Sequence, residues 1–329
     1  MILAGDIGGT KVNLACFEVS GQRVLRGITD TYPSREHSNL AEIVRAFISA
    51  HNLTVEYASF GIAGPVKKGR AQLTNLPWVV DARELTRELG LKRTWLINDL
   101  EANAYGISGL EPADFVVLNP GEEGAGGNAA IISAGTGLGE AGLFWDGHRY
   151  LPLACEGGHG DFAPRSELDV ELWRYLRGRF GQVSWERLLS GPGSYNIYQF
   201  LRDTKRGEEP AWLTEELKNG DPPSVVSRAA LAGTCELCVR ALDLFVTYYG
   251  AEASNLALKI MSTGGLYVGG GIAPKIIGKL QDGNFMKSFC ASDRMKWLLE
   301  AMPVRVILND KTALIGAARL AAAQAGWIR

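Results

Sequence analysis

The amino-acid sequence predicts a layered α/β protein of two domains, and three observations predict it. The chain opens on MILAGDIGGT, an apolar run that meets Asp6 and then Gly8-Gly9-Thr10, and the arrangement returns as AAIISAGTGLG between positions 129 and 139. Behind each segment, strand-like runs alternate with helical runs, which is the pattern of α/β layers with a largely parallel part. At 329 residues the chain exceeds what one core usually supports and should bury roughly 75% of its unfolded surface, so two domains are expected.

Taken in order, Ile2 to Ile7 reads as a buried strand ending in a glycine turn. VNLACFEV, the pair Ser20-Gly21 and VLRGITDTY follow, so the first motif opens a meander of strand, turn and strand. NLAEIVRAFISAH, from Asn39 to His51, has amphipathic helical spacing. YASFGIA (57–63) and TWLIND (94–99) read as strands, the second leading into the helical LEANAYG. In the second half, EAGLFW, the hairpin signal Asp146-Gly147 and HRYLPL repeat the meander. A helix is expected from Ser166 to Leu176, where Ser166 and Asp169 stand three apart as a variant capping box. The charged, Pro-bearing segment from 202 to 224 reads as surface helix and loop. LAGTCELCVRALDLFVTYYG has strong helical spacing, and TGGLYVGGGIAPK (263–275) is a short apolar strand between glycines, with Pro274 suited to a first helical turn. The Ala-rich TALIGAARLAAAQAG closes the chain as a helix.

Composition excludes several classes. A formal net charge of -2 from 34 basic and 36 acidic residues leaves no basic footprint for nucleic acid. Five cysteines, scattered at 16, 155, 235, 238 and 290, do not form the framework of a small secreted domain, so a reducing cytoplasm is expected. Cys235 and Cys238 lie on one face of a helical run, with no second Cys or His pair to complete a zinc site. The first apolar run has no basic flank and meets Asp6 too early for a signal peptide; no stretch reaches about 18 uncharged apolar residues, so no membrane partner is expected.

Gly137-Leu-Gly139-Glu-Ala-Gly142 matches the dinucleotide fingerprint G-x-G-x-x-G, but its glycines open a hairpin where that fingerprint needs a helix. No G-x-x-x-x-G-K-[ST] exists in the chain. What remains is a pair of hairpin loops in which glycine permits close approach to phosphate and Thr10 and Thr136 can donate hydroxyl hydrogen bonds. The third glycine cluster offers bare backbone on which a flat ring can lie. Asn98-Asp99 stands where a strand ends and a helix starts; a carboxylate there feels the helix N-terminus, which favours its ionised form, although a helix-capping aspartate has the same signature. Glu156, His159 and Asp161 share a glycine-rich loop that does not suit the helical Glu-x-x-His metal pairing, whereas a polyol matches carboxylates and imidazole together. Glu186, on its own, is only a first-turn acid after Ser184.

GDIGGT (5–10), INDLEA (97–102), GTGLG (135–139), EGGHGDFAP (156–164), SWERLLSGPG (184–193) and GGGIAP (269–274) resemble, in order and over essentially the whole chain, the motifs of the superfamily of sugar kinases, actin and heat-shock ATPases. Within it the resemblance is closest to the bacterial glucokinase family. That resemblance implies the two-domain actin-like ATPase fold, ribonuclease H-like, with a cleft whose closure would exclude water. The small domain would comprise 1–109 and 303–329, and the large domain 110–302. ATP would lie on Gly5, Asp6, Ile7, Gly8, Gly9, Thr10, Gly135, Thr136, Gly137, Gly264, Gly265 and Gly270, with Asp6 orienting Mg2+ through water. Glucose would be held by Asn98, Asp99, Glu156, His159 and Glu186, with Asp99 the general base for the 6-hydroxyl. A homodimer is also implied. The alternatives are a kinase of mannose or an N-acetylhexosamine, or a sugar sensor without catalysis. One departure is Lys11, where relatives often have Asn; GGTK is also the spelling of ROK kinases and repressors. Those typically carry a cysteine-rich zinc loop after E-x-G-H, and here APRSELDVELWRYL follows with no cysteine, which favours the glucokinase branch.

Overall fold

In the computed structural model, which describes residues 1–73 and 76–328, each half of the chain is organised around a buried strand with one antiparallel and one parallel neighbour. The chain divides into two units, Met1–Asp114 with His148–Ala154 and Asn309–Arg329, and Phe115–Gly147 with Cys155–Leu308.

In the first unit, β1 (Ile2–Ile7), β2 (Lys11–Ser20), β3 (Arg23–Pro33) and β4 (Tyr57–Ile62) form one sheet with a later strand, and α1 (Leu40–Ala50) packs against it. A small sheet of β5 (Val66–Lys67), β6 (Arg70–Gln72) and β7 (Val79–Asp81) leads into α2 (Ala82–Glu88), then β8 (Arg93–Asn98) and α3 (Asp99–Ile107). The main sheet runs β3-β2-β1-β4-β8. The run of apolar residues in β1 has a direct cause, because side chains alternate across a strand and both faces here are covered. Leu3 and Ile7 join the cluster of Ile43, Val44 and Phe47 from α1, whereas Ile2 and Ala4 join Leu314, Ala317 and Ala321 of the C-terminal helix, Thr312–Gln324.

That last helix is Ala-rich because its backbone nearly touches α3. A Cβ on Gly316 would overlap the carbonyl of Ala102, and one on Gly106 would overlap the carbonyl of Thr312. Gly316→Val should therefore destabilise the protein by about 1–3 kcal/mol, since backbone cannot yield as a side chain does. Gly178→Ala, in a helix with open space around it, should be neutral or stabilising by about 0.5–1 kcal/mol. Urea melts of the two variants check this, and equal midpoints would contradict the close contact.

In the second unit, β9 (Phe115–Asn119), β10 (Ala129–Ala134) and β11 (Leu138–Trp145) precede the Asp146-Gly147 turn, after which β12 (Tyr150–Cys155) lies in the first unit up to residue 154. Helices α4 (Glu167–Phe180), α5 (Gly191–Asp203), α6 (Ala211–Asn219), α7 (Pro222–Leu231) and the long α8 (Glu236–Ile260) follow, then β13 (Gly265–Gly269) and β14 (Val304–Ile307). Within this unit the sheet runs β11-β10-β13-β14-β9. β14 lies parallel to β13 and antiparallel to β9, so residues 303–308 belong here and not with the C-terminal helix; the boundaries fall at 114/115 and 308/309 instead of 109/110 and 302/303, and 148–154 joins the first unit. Cys235 stands just before α8 without a capping hydrogen bond, and both it and Cys238 are buried free thiols among core side chains. Ser166 caps α4 by accepting the Asp169 N–H at 3.2 Å, while the Asp169 carboxylate reaches one residue further back, to the Arg165 N–H at 2.9 Å. Among the described residues no helix is long and apolar enough to cross a membrane.

Candidate active site

The β1–β2 hairpin holds its loop from below. The Gly8 N–H donates to the Lys11 carbonyl at 3.0 Å; buried Ser34 gives its backbone N–H to Thr10 O at 3.0 Å and its hydroxyl to Gly8 O at 2.8 Å. The hairpin register pairs Asp6 with Asn13 and Asn13 with Thr31. A polar relay follows across the three strands, in which Thr31 Oγ1 donates to Asn13 Oδ1 at 2.8 Å and Asn13 Nδ2 donates to Asp6 Oδ2 at 3.2 Å. Burial pushes the Asp6 carboxyl pKa up, against the Asn13 hydrogen bond and the charges of Lys11 and Lys311. Among the described residues no group of three or more His, Cys, Asp or Glu side chains could hold a metal ion. The Asp6 carboxylate, held by Asn13, suits a hard cation such as Mg2+, which keeps several waters and takes one or two carboxylates plus phosphate oxygens.

Asn98 ends β8 in register with Ile62, which pairs with Ile7, so it stands at the loop end of the sheet, about 10 Å across from β1. The cap of α3 is Asn98, not Asp99: its side-chain oxygen accepts the Leu100 N–H at 2.8 Å, and the Glu101 carboxylate accepts the Asn98 N–H at 3.1 Å. Asp99 is the first helical residue, its Oδ1 accepting the same Leu100 N–H at 3.0 Å. Gly61 lets α3 approach the sheet, since a Cβ there would overlap the Ala102 Cβ at 2.9 Å.

In the second unit the β10–β11 hairpin presents Gly135, Thr136 and Gly137, with Thr136 exposed. The Gly191 N–H at the start of α5 donates to Gly135 O at 2.8 Å, and the Leu138 N–H donates to Glu186 Oε2 at 3.0 Å. Glu186, in the short turn Trp185–Arg187, thus caps the loop instead of its own turn. Gly270, with φ 84°, packs so closely that a Cβ would overlap the Ala134 carbonyl. Gly264 and Gly265 do not join it. The β10–β13 register pairs Gly265 with Ala129 and Gly269 with Ser133, so Gly264 and Gly265 sit at the opposite strand end, about 13 Å away. Two glycine runs flanking one short strand looked alike in the sequence, and parallel register separates them.

Glu156 and His159 flank a tight turn, exposed, with Oε2 and Nε2 4.0 Å apart. The turn is docked on the Ser184–Arg187 segment: the Trp185 N–H donates to Gly160 O and the Phe162 N–H to Val183 O, both at 2.9 Å, and the Phe162 and Trp185 rings meet edge-on at 5.0 Å. Asp161 is engaged by Gln182 Nε2 at 2.8 Å. The first unit therefore gathers Asp6, the Gly8–Thr10 loop, Asn98 and Asp99, and the second gathers Gly135–Gly137, Gly270, Glu156, His159 and Glu186. Asn13, Thr31 and Ser34 were not foreseen. Asn13 could have been, because it stands as far after the hairpin turn as Asp6 stands before it.

A family model described as Glucokinase matches residues 3–324. The glucokinase of Nostoc punctiforme is 44% identical over 337 residues, covering 98% of this chain and 99% of that protein. The glucokinase of Synechocystis sp. is 44% identical, with 97% of each covered. Among solved structures, a glucokinase from an Antarctic psychrotroph superposes with a TM-score of 0.84 at 30% identity, covering 98% of both chains. The glucokinase of Balamuthia mandrillaris in complex with glucose shares the fold, with a TM-score of 0.80 at 20% identity and coverage of 97% and 93%. Two glycine hairpins on a repeated sheet unit, the actin-like ATPase fold and similarity along nearly the whole length place the chain in the glucokinase family.

Proposed function

We propose that the protein transfers the γ-phosphoryl group of ATP to the 6-hydroxyl of glucose. The observation that carries this reading is the placement of Asp99, a carboxylate at a helix start whose capping is done by Asn98 and Glu101, at the same sheet end as the glycine hairpin. Asp99 takes the proton of the 6-hydroxyl as that oxygen attacks phosphorus. Asn98, Glu156, His159 and Glu186 hold the sugar hydroxyls, which donate and accept hydrogen bonds as those side chains require. Glu186 also ties the sugar side of the site to the second phosphate loop through the Leu138 N–H. Backbone N–H groups of the Gly8–Thr10 and Gly135–Gly137 loops face phosphate oxygens, with the Thr10 and Thr136 hydroxyls beside them. Asp6 is the residue that would hold Mg2+, which would supply positive charge to the phosphates. Catalysis on this reading is chiefly positioning and charge stabilisation. A homodimer, as the family resemblance implies, and a reducing cytoplasm, as the scattered cysteines imply, go with it.

A coupled assay with ATP, Mg2+ and a hexose panel tests the reading. Glucose should give the highest kcat/KM, with mannose, whose 2-hydroxyl has the opposite configuration, and N-acetylhexosamines, which carry an acetamide at that carbon, below it, because a site built to hydrogen-bond one hydroxyl arrangement leaves polar groups unpaired with another. Absence of sugar-dependent ADP release would sink the kinase reading in favour of a sensor, and a preference for another hexose would rename the substrate.

A further inference from the structure

Beneath the Glu156–His159 turn lie two carboxyl groups for which the proposed chemistry has no use. Glu140, in β11, is 2% exposed and Glu252, in α8, is 0% exposed. The Oε1 atom of each is buried without a hydrogen-bond partner. Two ionised carboxylates in such a place are costly, and a proton on one of them lets the pair share a hydrogen bond in place of a second buried charge. Glu252 has the better claim to the charge: its Oε2 accepts Asn255 Nδ2 at 2.7 Å, and Lys259 Nζ stands 3.9 Å from its Oε1. Glu140 takes the proton, its pKa pushed up to about 8 by burial and by the charge of Glu252.

Glu140 also supports the turn. Its Oε2 fills the space where a Cβ on Gly157 would be, so the Gly157 backbone rests directly on the carboxyl group. The Cys155 thiol, one residue before Glu156, donates to the Glu140 backbone carbonyl at 3.2 Å. We propose that Glu140, as a neutral acid donating its proton to Glu252, is a positioning residue that holds the Glu156–His159 turn at the height the sugar needs, and that its ionisation loosens the turn. This rests on the reading that the turn takes sugar. The titratable groups facing Glu140 are Glu252, Lys259 and Tyr249 from α8 and Cys155 from β12. Burial raises the Tyr249 and Cys155 pKa values, which keeps both neutral where Glu140 titrates, and Lys259 already faces Glu252. An ionised Glu140 therefore meets a second negative charge with no cation of its own.

The test compares the parent, Glu140→Gln and Glu140→Ala at pH values of about 7 and about 9, one unit on each side of the Glu140 titration. Gln is isosteric, neutral and able to donate to Glu252, so its glucose KM should match the parent at the lower pH and stay level as pH rises. The parent's glucose KM should climb at the higher pH. Ala should raise glucose KM at both, by about 10- to 100-fold, as a misplaced site does, with kcat and the KM for ATP little changed. Hydrogen exchange of the peptide spanning residues 156–160, corrected for intrinsic rates, gives a readout that needs no sugar: faster in the parent at high pH, unchanged in Gln. A parent inactive on glucose would sink the functional reading alone, since exchange still reports on the turn. Equal pH dependence of exchange in parent and Gln, a parent-like glucose KM in Ala, or parallel changes in the KM for ATP would overturn the proposal. If Ala does not fold, the parent and Gln comparison decides.

Discussion

Asp99→Asn should bind glucose with a dissociation constant near that of the parent and turn over about 10²- to 10⁴-fold more slowly, the range that a positioned proton acceptor contributes. The amide keeps the shape of the carboxylate, and its oxygen can still accept the Leu100 N–H that Asp99 Oδ1 accepts at 3.0 Å. The helix start does not depend on the change, because Asn98 and Glu101 form the capping box of α3. Only the capacity to take the sugar proton is removed. Calorimetric titration with glucose, a thermal melt and steady-state kinetics separate these effects. An unchanged melting temperature with kcat near the parent's would take the base role away from Asp99.

Asp6→Asn should lower kcat and raise the KM for MgATP, together costing on the order of 10²- to 10³-fold in kcat/KM, as losing a preorganised charge does. Asn13→Ala should act in the same direction but less, by about 10- to 100-fold, since outer partners of a metal-orienting group usually count for that much. The geometry explains the ranking. Asn13 Nδ2 donates to Asp6 Oδ2 at 3.2 Å and is itself held by Thr31 Oγ1 at 2.8 Å, so the relay aims the carboxylate without touching substrate. Since the two act as one unit, the double variant should cost little more than Asp6→Asn alone. Calorimetric titration with MgADP should show the loss in both single variants, and glucose binding in neither. Additive losses in the double variant would mean that Asn13 does not work through Asp6.

Much of the architecture was legible in local pattern. The strands from Ile2, Lys11, Arg23 and Tyr57, their counterparts from Ala129 and Leu138, and the helices after Asn39 and Ser166 fall where spacing and caps predict them. The repeat of the hairpin was readable because both halves carry the same buried strand and glycine tip, whereas the parallel partner on the other side of each such strand came only from the structure. Glu186 was not legible from its own neighbourhood, since its partner is the Leu138 N–H, 48 positions away in sequence. The assignment of Gly264 and Gly265 failed for a related reason, as a glycine pair does not say which end of a parallel strand it occupies.

The sequence by itself determined the element types and the two glycine-tipped hairpins, because those depend on spacing, turn chemistry and side-chain type within a few residues, while the roles in proton and polyol chemistry came from the resemblance. The tertiary structure alone decided that Asn98 and not Asp99 caps α3, that Val304–Ile307 completes the second sheet, and that Asn13 and Thr31 stand behind Asp6. It alone brought Glu140 and Glu252 together under the Glu156–His159 turn. These are matters of strand register and of contacts between segments distant in sequence, and a buried carboxyl group takes its protonation from such neighbours.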